Sequence, residues 1–140
     1  MLKTPVSAAV AAVAGVATTA VIASAQSAAA KTATGVAENF YAQCDASVYV
    51  SDDLIGSDGK IEAWGGYTCP SSFKYHGQLT LTLKDGTAII GQQKKAVNDS
   101  TNHVDVTATN ISGYQDWHAD LQLFVPGSPQ TIVSTGVVHS

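Results

Sequence analysis

The sequence predicts an all-β protein, a small antiparallel β-sandwich with one disulfide, preceded by a cleaved signal peptide. Three observations carry that expectation. Apolar residues recur with a period of two along most of the chain after Cys44. Clusters of Gly, Pro, Asn, Asp and Ser punctuate the alternating runs at short intervals. Cys44 and Cys69 are the only cysteines among 140 residues.

The chain opens with Lys3, a run of Ala and Val reaching Ile22, and the small-residue triplets Ala23-Ser24-Ala25 and Ala28-Ala29-Ala30. This is the layout of an export signal over residues 1–30, with cleavage after Ala25 or Ala30. The apolar run approaches the roughly 20 residues that span a bilayer. Ala, Gly15 and Thr18-Thr19 keep it weakly hydrophobic, so no stable membrane insertion is expected once the signal is removed. In composition the leader resembles those of exported proteins from high-GC Gram-positive bacteria. The expected location is extracellular.

Cleavage after Ala25 leaves 140 − 25 = 115 residues, the length of one domain. It removes Lys3 and no acid, so the formal charge moves from −4 to −5. Residues 31–43 are expected to be a flexible N-terminal segment, because Gln26 to Val36 is rich in Ala, Thr and Ser without a periodic apolar face. Such a segment, continuing through Val36, Phe40 and Tyr41, is suited to joining a partner's sheet as an added strand.

The sandwich domain is expected over residues 44–140. Cys44, Ala46, Val48 and Val50 alternate with Asp45, Ser47, Tyr49 and Ser51 as a half-buried strand. Ile61 to Cys69 is a second strand, interrupted by Gly65-Gly66. Leu79, Leu81 and Leu83 alternate with Thr80 and Thr82 in the clearest strand. Asp85-Gly86 then turns the chain into Thr87 to Gln92. Val104 to Ala108, Ala119 to Val125 and Ile132 to Val138 bring the total to seven. An immunoglobulin-like architecture is compatible with that count and with Trp64 lying between the two cysteines. The 25-position interval between them is too short for that family's long-range bridge, and points instead to a link between neighbouring early strands. Closing such a loop is worth about 3.5 kcal/mol by the chain-entropy argument. Neither cysteine belongs to a Cys-x-x-Cys pair, and the four-cysteine pattern expected of bacterial subtilisin inhibitors is absent.

Several functional classes are disfavoured by composition. There is no Arg, and the Lys are scattered apart from Lys94-Lys95, so nucleic acid and anionic membrane lack the clustered cations they require. Lys94-Lys95 reads as protection of an exposed strand edge. His76, His103, His118 and His139 accompany no Gly-x-Ser-x-Gly elbow or His-Glu-x-x-His helix, and no catalytic residue, metal site or cofactor is assigned. Asp116, His118 and Asp120 read as the wet face of a strand rather than as ligands. The acidic turn Asp52-Asp53 with Asp58-Gly59 lacks calcium-loop spacing.

Aromatic residues beside turns are the better candidates for contact, because large rings bury area while Tyr and Trp keep a polar handle. They are Tyr67, Phe73, Tyr75, Tyr114 and Trp117, and Val36, Phe40 and Tyr41 of the N-terminal segment complete the candidate set. Trp64 and Trp117 are assigned first to core packing. Phe124 has the opposite parity to Leu121 and Leu123, so it belongs to a second face or to an exposed contact. The expected function is that of a secreted noncatalytic protein-interaction module. Most simply this is an adaptor or accessory subunit of an extracellular assembly such as a toxin complex, bound to a larger secreted protein through its N-terminal segment and a sheet edge. The alternatives are a module binding cell-wall carbohydrate and a secreted enzyme inhibitor.

Overall fold

The computed structural model describes residues 32–52, 59–110 and 113–140. The expected signal, Asp53 and Asp58 lie outside the described residues. Nine strands are described: β1 (Thr32–Tyr41), β2 (Cys44–Ser51), β3 (Lys60–Thr68), β4 (Tyr75–Asp85), β5 (Ala88–Asp99), β6 (Thr101–Thr109), β7 (Asp116–Phe124), β8 (Thr131–Ser134) and β9 (Val138–His139). They form two antiparallel sheets. One has the order β1-β2-β3-β6; the other has the order β9-β7-β4-β5, with β8 also on the outer side of β7.

Alternation explains why the sheets face each other. Val48 and Val50 of β2, Ile61 and Ala63 of β3, Leu79, Leu81 and Leu83 of β4, and Ala119, Leu121 and Leu123 of β7 are all buried on the facing sides. Gly65 makes room between the layers: a Cβ there would lie 2.9 Å from a methyl of Leu121 and 3.2 Å from one of Leu81. The order 1-2-3-6 departs from the immunoglobulin arrangement, in which the third strand crosses to the second sheet.

The disulfide joins Cys44 to Cys69. Asp45 pairs with Thr68, so the bridge lies one position beyond the end of the β2–β3 ladder and links neighbouring strands. A single residue, Ser100, separates β5 from β6 where the chain passes between sheets. That corner is fastened to the disulfide region. The Cys69 amide donates to the Ser100 carbonyl at 2.7 Å, and the Tyr67 hydroxyl donates to the Asp99 carboxylate at 2.5 Å.

Two segments differ from the sequence expectation. Residues 32–41, expected as part of a flexible segment, form strand β1, paired with β2 from Thr32↔Ser51 to Ala37↔Ala46. Their inward side chains are Ala33, Gly35 and Ala37, which are small because β1 packs closely against the end of the second sheet. Strand β5 runs to Asp99 rather than stopping near Gln92, so Lys94 and Lys95 lie on a sheet edge. It is held chiefly by its ladder to β4, for Val97 is its one buried residue.

Candidate functional site

Five of the eight candidate contact residues, Phe40, Tyr41, Tyr67, Phe73 and Tyr75, converge at one end of the sandwich. Strand β1 delivers Phe40 and Tyr41, the loop after the disulfide delivers Phe73, and β3 and β4 deliver Tyr67 and Tyr75. Edge-on contacts join Tyr75 to Phe40 at 5.4 Å and to Tyr41 at 5.7 Å between ring centroids. Tilted contacts join Tyr75 to Tyr67 at 4.9 Å and Tyr41 to Phe73 at 6.0 Å. The two edge-on contacts place ring edges against ring faces, as the aromatic quadrupole favours.

The cluster has a floor and a rim. Tyr67 and Tyr75 are the floor: both are buried, and this overturns their assignment as surface contacts. Each lies on the buried parity of its own strand, Tyr67 in step with Ile61 and Ala63, and Tyr75 in step with Leu79. Burial pushes the Tyr75 phenol up to about 12, with the neighbouring Tyr41 adding to the shift. Burial and the hydrogen bond to Asp99 raise the Tyr67 phenol further. Both remain neutral, and neither is an activated acid or base at ordinary pH.

The rim is Tyr41, 36% exposed, with Phe40 and Phe73 partly buried beside it. Phe73 is held by a tight turn in which its amide donates to the Pro70 carbonyl at 2.8 Å. A narrow cleft runs from Phe40, Tyr41 and Tyr75 to Val125, Ser128 and Pro129. Beyond Val125, on the outer side of the second sheet, Phe124 and Pro126 line an open, mainly apolar dish of about 380 Å³ with His76, Gly77 and Gln78. Phe124 is 42% exposed, so its odd parity marks an outward-facing ring rather than a second buried face.

The remaining candidates separate from this cluster. Val36 is 64% exposed on the outer face of β1. Trp117 is buried, in step with Ala119 and Leu121, in agreement with its first assignment to core packing, and its indole nitrogen donates to Ser140 Oγ at 2.9 Å; its place among contact candidates is withdrawn. Tyr114 is 74% exposed, and its ring stacks on His139 at 5.5 Å with planes 14° apart. His139 Nδ1 lies 2.8 Å from the Tyr114 hydroxyl and 2.7 Å from Asp116 Oδ1.

Trp64, assigned to packing, faces outward instead. It is stacked between Tyr49 of β2 and His103 of β6, at 5.6 Å and 5.4 Å. The ring planes lie 6° and 22° apart, so the three side chains stack in near-parallel fashion along the outer face of the first sheet. Gly66 leaves the space that the indole occupies, since a Cβ there would lie 2.9 Å from Trp64 and 2.8 Å from His103. This is a cross-strand ladder that ties three strands together. Its signal was in the parity: Ile61 and Ala63 face inward, so Trp64 faces out.

Among the described residues, no group of three His, Cys, Asp or Glu side chains is placed to hold a metal ion. Asp116 is engaged by His139, whereas Asp120 accepts from Ser134 Oγ at 2.6 Å and pairs with Lys84 at 2.9 Å. Burial opposes the charge on Asp120, but Ser134, Lys84 and His118 together outweigh it and lower the pKa. A folded-state pKa below the unfolded value stabilises the fold above the unfolded pKa, and that contribution is lost as pH falls through the folded pKa. The melting temperature of wild type is therefore expected to exceed that of Asp120→Asn near neutral pH. The gap should close as pH is lowered from about 5 to about 3, as read by thermal melts at matched ionic strength.

No protein-family model matches the chain, and no curated protein matches it either. The functional reading therefore rests on its own residues.

Proposed function

We propose that this protein is a secreted noncatalytic interaction module that engages another extracellular protein through the aromatic end of the sandwich. The observation that carries the reading is the convergence of Phe40, Tyr41 and Phe73 beside the apolar dish of Phe124 and Pro126. Partly exposed rings above a rigid buried floor are the arrangement that protein interfaces use as anchors, because little side-chain freedom remains to be lost on binding. The disulfide suits the oxidising surroundings of an exported protein. An adaptor or accessory subunit is the simplest role for such a surface. An inhibitor would use it in the same way against an enzyme.

The test is capture from the culture medium of the native host, with a tag joined to the C-terminus through a flexible linker. Wild type is expected to retain a secreted companion in constant ratio. Tyr41→Ala with Phe124→Ala should lower that retention by about tenfold or more while the melting temperature changes little. Undiminished retention by the double variant would exclude the aromatic end.

A second reading is favoured by one observation. Tyr114 presents an open ring face backed by His139, and such a face stacks on the apolar side of a sugar. In that case Tyr114→Ala should weaken retention on a cell-wall polysaccharide column without altering the melt. Equal retention of variant and wild type removes this reading.

A further inference from the structure

The β1–β2 hairpin closes through only two residues, Ala42 and Gln43, with φ of 49° and 65°. Asn39, just before them, has φ of 52°. Two-residue hairpins need left-handed backbone, and Asn-Gly adopts it readily. Ala and Gln do so under strain, because each Cβ crowds the following carbonyl. The β1–β2 register also slips between Ala37 and Tyr41, so the part of β1 nearest the turn is irregularly paired.

None of the residues of β1 is fully buried, so the strand can leave without extracting a core side chain. The slot it fills is nevertheless selective. A Cβ on Gly35 would overlap the Ser134 carbonyl of β8 and would lie 3.2 Å from Val48. The place beside β2 therefore takes a strand with glycine where it meets Ser134. Gly35 meets that requirement, and a second copy of this chain carries the same glycine at the same register.

We propose that β1 is exchanged between two copies of the chain, with Ala42–Gln43 opening as the hinge. Opening returns both residues to extended backbone and makes residues 32–51 one continuous strand. Each β1 then fills the slot beside β2 and β8 of the other copy, so the contacts of the closed form outside the hinge are reproduced across the two molecules. Strain present only in the closed hairpin favours the exchange. The exchange is separate from the partner reading above, and its test reads chain connectivity alone.

Thr32 Oγ1 and Ser51 Oγ lie 2.8 Å apart across the β1–β2 ladder. Thr32→Cys with Ser51→Cys places a bond there that joins one chain in the closed form and two chains in the exchanged form. The variant, with its two engineered thiols unbonded, is unfolded and refolded at high concentration at about pH 5, where protonated thiols leave Cys44–Cys69 intact, then oxidised near neutral pH and run on a nonreducing gel. A covalent dimer is expected, at a fraction that rises with concentration during refolding. Ala42→Asn with Gln43→Gly relaxes the turn and should lower that fraction by about tenfold or more. Ala42→Pro forbids the closed turn, because proline holds φ near −65°, and should make the covalent dimer dominant. Monomer alone in all three backgrounds would overturn the exchange. Dimers in which the engineered bond stays within each chain would overturn it as well.

Discussion

Replacing Tyr75 by alanine is expected to cost about 3–5 kcal/mol of stability, the range for deleting a fully buried aromatic side chain. Tyr75 is 1% exposed and touches the rings of Phe40, Tyr41 and Tyr67, so the change removes the floor beneath the aromatic rim. A domain of this size should lose on the order of 20 °C in melting temperature. Tyr75→Phe keeps the ring and should lose far less, which separates packing from the hydroxyl. Tyr41→Ala, by contrast, truncates a partly exposed ring and should cost only a small fraction of the Tyr75→Ala effect. Thermal melts of the three variants check the assignment. A Tyr75→Ala protein that melts like wild type would show that the residue is not a core element.

The second large effect concerns the disulfide. Cys44→Ala with Cys69→Ala is expected to lower stability by about 3.5 kcal/mol, because the bridge closes a loop of 25 positions in the unfolded chain. Both sulfurs sit in the core cluster, so the paired alanines add a packing loss to the entropic one. The bridge lies at the same end as the aromatic cluster, and the Cys69 amide also holds the β5–β6 corner through Ser100. Urea titration of the double variant should show a lower midpoint and a steeper slope, because the unfolded chain without its cross-link is more expanded. An unchanged midpoint would contradict a structural role for the bridge.

These two effects bear on what the sequence made legible. The central strands were readable because Leu79, Leu81 and Leu83, and likewise Ala119, Leu121 and Leu123, alternate against polar neighbours. The disulfide between neighbouring strands was readable from the short interval between its cysteines. Strand β1 was not, since its inward positions are Ala33, Gly35 and Ala37. There the packing requirement is smallness, and small residues resemble a linker. The second half of β5 was hidden for a different reason. Its inward positions include Gly91, Gln93 and Lys95, which overhang the core, so backbone pairing to β4 holds the strand where burial does not.

The candidate site was half legible. Residue type directed attention to Tyr67, Phe73 and Tyr75 beside turns and to Phe40 and Tyr41 in the N-terminal segment, and the fold brings these five rings together. Tyr67, Tyr75 and Trp117 turned inward because each continues the buried parity of its strand beyond the obviously apolar run. Extending that parity by four residues, from Ala63 to Tyr67 and from Leu79 back to Tyr75, would have separated floor from rim. The convergence of Phe40, Tyr41 and Phe73 depends on three segments distant in sequence, and no local pattern reports it. Phe124 was flagged by parity alone, and its exposure gives that signal its meaning.

The most direct test of the central claim is site-specific photo-cross-linking in the native host's culture medium. A benzophenone side chain is placed at Tyr41, at Phe124, or at Thr107 on the outer face of the first sheet. The account expects a cross-link to one and the same secreted protein from Tyr41 and Phe124, with none from Thr107. Cross-links from Thr107 alone, or from none of the three positions, would contradict an interaction surface at the aromatic end.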